Sequence, residues 1–156
     1  MKVIFLDIDG VLNSKRYDNE SGINRKVMDP TRLDLLRYIV DETEAEIVLS
    51  SSWRQGWSKS ENACSRSGKM IYDEFVAAHI DIYDKTPYFG IGADRSKEIK
   101  AWLEENSPVE SFVILDDIQY GWGDLEDHVV RTCYDIGRGL EEKHAKMAIS
   151  ILNAEG

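Results

Sequence analysis

Cysteine is scarce in this chain of 156 residues, and the two that occur, Cys64 and Cys133, are far apart in the sequence. Neither has a Cys-x-x-Cys or His-Cys spacing, so the sequence supports neither a disulfide framework nor a zinc site. No apolar run approaches the length of a membrane span, and no signal peptide precedes the first predicted strand. We therefore expect a cytoplasmic protein with no membrane partner.

Basic residues are in the minority. The chain has 19 Lys and Arg residues against 29 Asp and Glu residues, which gives a formal net charge of −10. A negative field of this kind repels phosphate backbones at long range, which argues against a protein that coats extended nucleic acid. A local basic site for a single phosphate group is still compatible with this charge.

Internal repeats, low-complexity tracts and interdomain linkers are also missing, and the length suits one domain with a substantial core. Short apolar runs alternate with segments of helical periodicity. The predicted strands cover about 2–8, 46–50, 80–83, 111–115 and 128–133, and the predicted helices cover about 30–42, 70–79, 96–105 and 140–152. This alternation predicts an α/β fold, a Rossmann-like three-layer sandwich in which helices cover both faces of a mainly parallel five-stranded sheet.

Two acids directly follow the first predicted strand. Asp7 and Asp9 come after the apolar run 3–6, and Gly10 marks a sharp turn. Open α/β sheets place their chemistry at the carboxyl ends of their strands. Because two carboxylates this close repel each other, the pair predicts a compensating cation or proton.

Polar side chains also mark three other strand ends or nearby loops. They are Ser50 and Ser51, Arg95 and Lys97, and Asp116 and Asp117. Parallel strands end at the same edge of a sheet, so these groups can converge with the first pair of acids. Three or four carboxylates suit Mg²⁺, a hard cation that prefers oxygen ligands. A hydroxyl group and a basic side chain can bind phosphoryl oxygens, which leaves one carboxylate free to attack phosphorus.

In type and order, these residues resemble the four motifs of the haloacid dehalogenase-like (HAD) phosphohydrolases, over nearly the whole chain. The matching residues are, motif by motif, Asp7, Asp9 and Gly10; Ser50 or Ser51; Arg95 or Lys97; and Asp116 and Asp117. A narrower similarity is to the small HAD phosphatase domains, without a large cap, that are associated with nucleic-acid end repair. It is carried by the segments 7–13, 50–54, 95–103 and 114–117.

The resemblance implies a Mg²⁺-dependent phosphomonoesterase that acts through an aspartyl-phosphate intermediate. It assigns Asp7 as the nucleophile and Asp9 as the general acid and then the general base. The acid role requires an Asp9 carboxyl that is protonated when substrate is bound, and therefore a raised pKa.

The same resemblance implies a set of ligands for metal and phosphate. Mg²⁺ would be held by Asp7, by the backbone carbonyl of Asp9 and by Asp117, with Asp116 binding directly or through water. The phosphate would be bound by the amide of Gly10, by Ser50 or Ser51, and by Arg95 or Lys97.

Two segments between the motifs bear on the size of the substrate. The polar segment 14–28 is predicted to be a mobile flap, and 52–94 is predicted to hold mostly loop and one helix. Neither is expected to fold into a cap, so residues 1–156 are predicted to form a single HAD-like domain with an open active site. An open cleft admits a phosphate on a larger molecule, such as a nucleotide or the 3′-phosphate end of a polynucleotide.

Basic and aromatic side chains alternate in these two segments, which is typical of a surface that grips a nucleotide or a nucleic-acid end. They are Arg16, Tyr17, Arg25, Lys26, Trp53, Arg54, Trp57 and Lys59. The competing interpretation is a solvated loop anchored to the core by its aromatic residues. Two other functions also stay open: a non-catalytic module that binds phosphate or protein, and phosphotransfer to an acceptor other than water.

Overall fold

The structure, a computed structural model, describes residues 1–22 and 26–154. Within these residues the strands are β1 (Lys2–Leu6), β2 (Glu46–Leu49), β3 (Asp84–Lys85), β4 (Ser111–Asp116) and β5 (Val129–Arg131). The helices are α1 (Lys15–Ser21), α2 (Pro30–Thr43), α3 (Arg66–Ala77), α4 (Arg95–Glu105) and α5 (Glu142–Leu152), with 3₁₀ turns at Ser52–Gln55, Glu61–Ala63 and Gly123–His128. The strand order is β3-β2-β1-β4-β5, and every neighbouring pair is parallel.

The apolar strands are buried on both faces because successive side chains point into two different cores. In β1, Ile4 and Leu6 pack with the apolar residues of α2, α3 and α5. Val3 and Phe5 point the other way and pack with α4 and the 3₁₀ turn at Gly123–His128. The molecule is therefore a three-layer α/β sandwich around a parallel five-stranded sheet, as the sequence predicted.

Local signals define where the helices next to the sheet begin. The Asp29 carboxylate accepts the N–H of Thr31 at 3.0 Å, and Pro30 is the first residue of α2. Both residues are favoured at these positions because they satisfy or avoid the unpaired N–H groups of a first turn. Asp94 caps α4 in the same way. This cap fixes the helix whose first residue, Arg95, lies at the carboxyl edge of the sheet.

Some boundaries differ from the predicted ones. The third strand pairs with β2 only at Asp84 and Lys85 instead of over 80–83. Helix α3 begins at Arg66, four residues earlier than predicted, because Ser65 caps it by accepting the N–H of Gly68. Segment 14–28 contains the short helix α1, which has no buried residue and so no apolar stripe that would reveal it in the sequence. Residues 23–25, including Arg25, lie outside the described residues.

No large cap domain covers the carboxyl edge of the sheet in the part of the chain that the structure describes. Between β2 and β3 lie two 3₁₀ turns and α3. None of the helices formed by residues 1–22 and 26–154 combines the length and the apolar character needed to cross a membrane.

Candidate active site

Three acids from two adjacent strand ends meet at the carboxyl edge of the sheet. In the β1–β4 pair Leu6 is opposite Leu115, and the N–H of Asp7 donates to the carbonyl of Leu115 at 3.0 Å. The strands therefore deliver Asp7 and Asp116 side by side, and Asp117 follows. Carboxylate oxygens of these three residues lie within 4.8 Å of one another.

Among the described residues, Arg95 is the cation that contacts these acids, and its single positive charge cannot balance three carboxylates. Nη1 of Arg95 lies 2.7 Å from Oδ2 of Asp116 and 3.3 Å from Oδ2 of Asp7. Burial raises the pKa of Asp7 well above its ordinary value, and Asp116 raises it further, while Arg95 lowers it. Burial followed by repulsion from Asp116 also raises the pKa of Asp117. A cluster of carboxylates with this charge imbalance fits a hard divalent cation.

Gly10 is required where the first motif meets Asp117. Its φ is +87°, and a Cβ added there would lie 2.2 Å from Oδ2 of Asp117. Any other residue would therefore displace that carboxylate, in addition to adopting an unfavourable left-handed backbone conformation. The N–H of Gly10 donates to Oδ1 of Asn13 at 3.0 Å. The amide that the sequence assigned to phosphate binding is thus already hydrogen-bonded within its own turn.

The structure gives the two candidate serines different environments. Oγ of Ser51 accepts the N–H of Trp53 at 3.2 Å and caps the turn Ser52–Gln55. Oγ of Ser50 is buried, and within the described residues it has no hydrogen-bond partner. The N–H of Ser50 donates to the carbonyl of Leu6 at 2.9 Å, which holds Ser50 beside the end of β1. Leaving a buried hydroxyl group without a hydrogen bond is costly, so this hydroxyl is suited to donate to a ligand that the described residues do not supply.

The two candidate basic residues also differ. Arg95 is half-buried and contacts the acids, whereas Lys97 is exposed two residues later on α4. Helix residues two positions apart point in different directions, so a single helix cannot aim both side chains at the same site. The structure brings Arg95 to the acidic cluster and leaves Lys97 at the surface.

Asp9 has surroundings of its own. Its carboxylate lies outside the group of three acids. Oδ1 accepts a hydrogen bond from Nδ2 of Asn13 at 2.8 Å, and Oδ2 accepts one from Nε1 of Trp53 at 3.0 Å. These residues line a cavity of about 290 Å³ that Lys26 and Met70 also border. Sequence reasoning did not identify Asn13 as a functional residue, although it is a polar residue within the first motif's turn.

Two of the residues proposed to grip nucleic acid are buried. Arg54 forms an ion pair with Glu98 at 2.8 Å. Its guanidinium also donates to backbone carbonyls, including that of Ser51 at 2.7 Å. Trp57 belongs to the apolar core. The burial of these two side chains contradicts their interpretation as substrate contacts. Trp57 anchors its loop in the core, as the competing interpretation proposed, whereas neither interpretation predicted the buried ion pair of Arg54. Lys26 and Trp53 remain at the cavity beside Asp9.

Comparison with protein-family models matches residues 3–145 to the family described as the HAD domain in Swiss Army Knife RNA repair proteins. The matched span runs from β1 into α5 and contains every site residue described above. A search of curated proteins and a search of solved structures each gave no significant match.

Proposed function

Because the chain belongs to the family of HAD domains in Swiss Army Knife RNA repair proteins, we propose that it is a Mg²⁺-dependent phosphomonoesterase acting on phosphorylated nucleotides or polynucleotide 3′-phosphate ends. The observation that carries this proposal is the cluster of Asp7, Asp116 and Asp117 with Arg95 beside it. The cluster offers carboxylate oxygens for a hard cation and a guanidinium for a phosphate. The family's association with RNA repair and the absence of a large cap from the described residues support a substrate larger than a simple metabolite.

In the proposed reaction, a carboxylate oxygen of Asp7 attacks phosphorus, and the bond from phosphorus to the leaving oxygen breaks. Asp9 gives its proton to that oxygen, and the phosphoryl group is left on Asp7. Water then attacks phosphorus while Asp9 takes a proton from the water, and the bond between phosphorus and the Asp7 oxygen breaks. Inorganic phosphate is released, Asp7 is again a carboxylate and Asp9 is again protonated. Dividing the hydrolysis into two displacements gives Asp9 one role in each.

The remaining residues counter the negative charge of the phosphate. The guanidinium of Arg95 supplies positive charge next to Asp7. The Ser50 hydroxyl, which has no hydrogen-bond partner among the described residues, supplies a donor for a phosphate oxygen. Mg²⁺, held by Asp7, Asp116 and Asp117, would neutralise charge that builds up on the phosphoryl oxygens. Lys97 is exposed and is not needed for this set of contacts.

The direct test is phosphate release from p-nitrophenyl phosphate with Mg²⁺ and then with excess EDTA. Turnover that requires the metal supports the proposal, whereas unchanged turnover in EDTA would overturn it. Oligonucleotides that carry 3′- or 5′-phosphate groups then rank the substrates. Binding of phosphate without any turnover would instead favour a non-catalytic module, and transfer to an added alcohol in preference to water would favour a phosphotransferase.

We expect Mg²⁺ to stabilise the fold, and increasingly so as the pH rises. The pKa of Asp7 is higher in the folded protein than in the unfolded chain, so the folded state holds more protons between about pH 4 and that raised pKa. Without metal, the free energy of unfolding therefore falls as the pH rises through this window. Mg²⁺ at about 100 times its Kd adds about 2.7 kcal/mol, or roughly 5–10 °C in melting temperature. Thermal scans at several pH values measure this shift. A shift that is independent of pH and survives in Asp117→Asn would contradict the assignment.

Alanine substitutions should separate the two serines. Ser50→Ala removes an unpaired hydroxyl group, so the free energy of unfolding should stay the same or rise, while kcat/KM falls by about 10- to 100-fold. Ser51→Ala removes a helix cap and should lower the free energy of unfolding by about 1 kcal/mol. Urea unfolding and steady-state kinetics on both variants test this pair. The reverse pattern would assign phosphate binding to Ser51.

A further inference from the structure

The geometry points to Trp53 and Asn13 as positioning residues that hold Asp9 in place for proton transfer, an inference that rests on the proposed phosphatase function. Each residue donates to a different oxygen of the same carboxylate, Asn13 to Oδ1 at 2.8 Å and Trp53 to Oδ2 at 3.0 Å. Asp9 is exposed, yet both of its carboxylate oxygens accept a side-chain hydrogen bond. Hydrogen bonds to an exposed group add little stability, so their main effect here is to fix the direction of the side chain.

The two donors are themselves held by separate parts of the chain. Asn13 is buried, and its Oδ1 accepts the N–H of Gly10 while its Nδ2 also donates to the carbonyl of Val27. Trp53 lies in the turn capped by Ser51 and donates to the oxygen of Asp9 that Asn13 does not contact. The Asp9 carboxylate is thus held from two directions, and a rotation about its side-chain bonds would break both contacts.

This arrangement keeps Asp9 out of the acidic cluster and beside the cavity of about 290 Å³. A general acid must face the leaving oxygen, and the cavity next to Asp9 provides room for the group attached to that oxygen. The rest of the cavity is lined by Asp18, Lys26, Val27 and Met70. Without the two donors, the Asp9 carboxylate would be free to turn toward solvent or toward a bound cation.

The two donors also leave room for the proton that is transferred. Each carboxylate oxygen has two lone pairs, and one donor occupies only one of them. Each oxygen of Asp9 therefore keeps a lone pair that neither Asn13 nor Trp53 uses, and a proton can pass between that lone pair and the leaving oxygen. Asp9 becomes a carboxylate, and both contacts become charge-assisted hydrogen bonds that stabilise it. The same carboxylate then accepts a proton from the attacking water.

The test uses two substrates of similar size that differ in how much they need the acid. Phenol is a weak acid with a pKa of about 10, like the tyrosine side chain, so phenyl phosphate needs a proton donor for its leaving group, whereas p-nitrophenolate departs readily without one. Trp53→Phe should lower kcat/KM for phenyl phosphate at least about tenfold more than for p-nitrophenyl phosphate. Here kcat/KM is the informative constant, because hydrolysis of the aspartyl-phosphate is common to both substrates.

Three further variants make the result decisive. Asp9→Asn should show the same dependence on the leaving group, and adding Trp53→Phe to it should change nothing further. Asn13→Asp keeps the acceptor for Gly10 but replaces the donor to Asp9, so it tests the inference independently if Trp53→Phe folds poorly. Trp102→Phe is the matched control, because Nε1 of Trp102 likewise donates to a carboxylate, that of Asp84, at 2.8 Å. Neither residue belongs to the three-acid cluster or lines the cavity beside Asp9.

The outcomes distinguish a failure of the proposed phosphatase function from a failure of the role assigned to Trp53 and Asn13. Wild-type protein that hydrolyses neither phenyl phosphate nor p-nitrophenyl phosphate with Mg²⁺ overturns the proposed function, and this inference with it. If the wild-type protein is active but Trp53→Phe and Asn13→Asp lower kcat/KM equally for both substrates, or leave both values unchanged, the inference alone is overturned. A leaving-group effect in both variants that is absent from Trp102→Phe supports it.

Discussion

Asp7→Asn is expected to reduce phosphate release by at least about 10³-fold while raising the melting temperature of the metal-free protein. The loss of activity follows from the proposed role, because an amide cannot form the aspartyl-phosphate. The gain in stability follows from the surroundings. Asp7 is buried against Asp116 and Asp117, and the partner cation Arg95 retains its closer contact with Asp116 when the charge at residue 7 is removed.

The measurement combines steady-state kinetics in Mg²⁺ with thermal unfolding in EDTA. Asp29→Asn is the matched control, since Asp29 is also buried and asparagine is an equally good cap for α2. That control should keep activity near the wild-type value and should not raise the melting temperature, because it also removes the contact of Asp29 with Arg32 at 4.0 Å. Beryllofluoride in the presence of Mg²⁺ should bind the wild-type protein as an aspartyl-phosphate mimic and fail to bind Asp7→Asn. Asp7→Asn protein that is fully active would remove Asp7 as the nucleophile.

Arg54→Met is expected to destabilise the fold by about 3–5 kcal/mol, the typical cost of removing one partner of a buried ion pair. Arg54 and Glu98 are both almost fully buried and lie 2.8 Å apart. The Arg54 guanidinium also donates to the carbonyls of Ser50, Ser51, Thr86 and Pro87. Its removal leaves a charged carboxylate in the interior and several carbonyls without a donor.

Urea unfolding measures this loss, which corresponds to roughly 6–20 °C in melting temperature. Arg37→Met is the control, because Arg37 and Asp41 form an exposed helical pair at 3.9 Å that should contribute less than about 0.5 kcal/mol. The double variant Arg54→Met/Glu98→Met should recover part of the loss, since neither charge is then buried alone. A loss for Arg54→Met no larger than for Arg37→Met would contradict a structural role for this ion pair.

The elements that carry local signals were predictable. The apolar runs of β1 and β4 indicate buried strands because they are short and are followed directly by Asp residues, and Asp29-Pro30 indicates the start of α2. Helix α1 lacked an apolar face, so its sequence resembled a loop. The third strand is an edge strand whose pairing depends on where β2 begins and ends, and its own residues do not encode that register.

Parts of the candidate site depended on contacts that are distant in the sequence. The local sequence pattern alone predicted that the acids after β1 and β4 lie at the same edge of the sheet, because they directly follow recognisable strands. It could not separate Ser50 from Ser51, since only the folded chain reveals which hydroxyl group is already hydrogen-bonded. Nor could it predict that Trp53 contacts Asp9, or that Arg54 turns inward to Glu98, because charge and aromatic content do not specify burial.

The central position of β1 has a consequence for the order in which the molecule is assembled. Leu6 pairs with Leu49 on one side and with Leu115 on the other, so β1 is synthesised before both of its neighbours and waits for them. Closing the longer of these loops is slow because its entropy is lost before any pairing compensates. The mutual repulsion of the three carboxylates therefore arises only when β4 docks, and a nascent chain that has not yet reached β4 carries Asp7 without its neighbours.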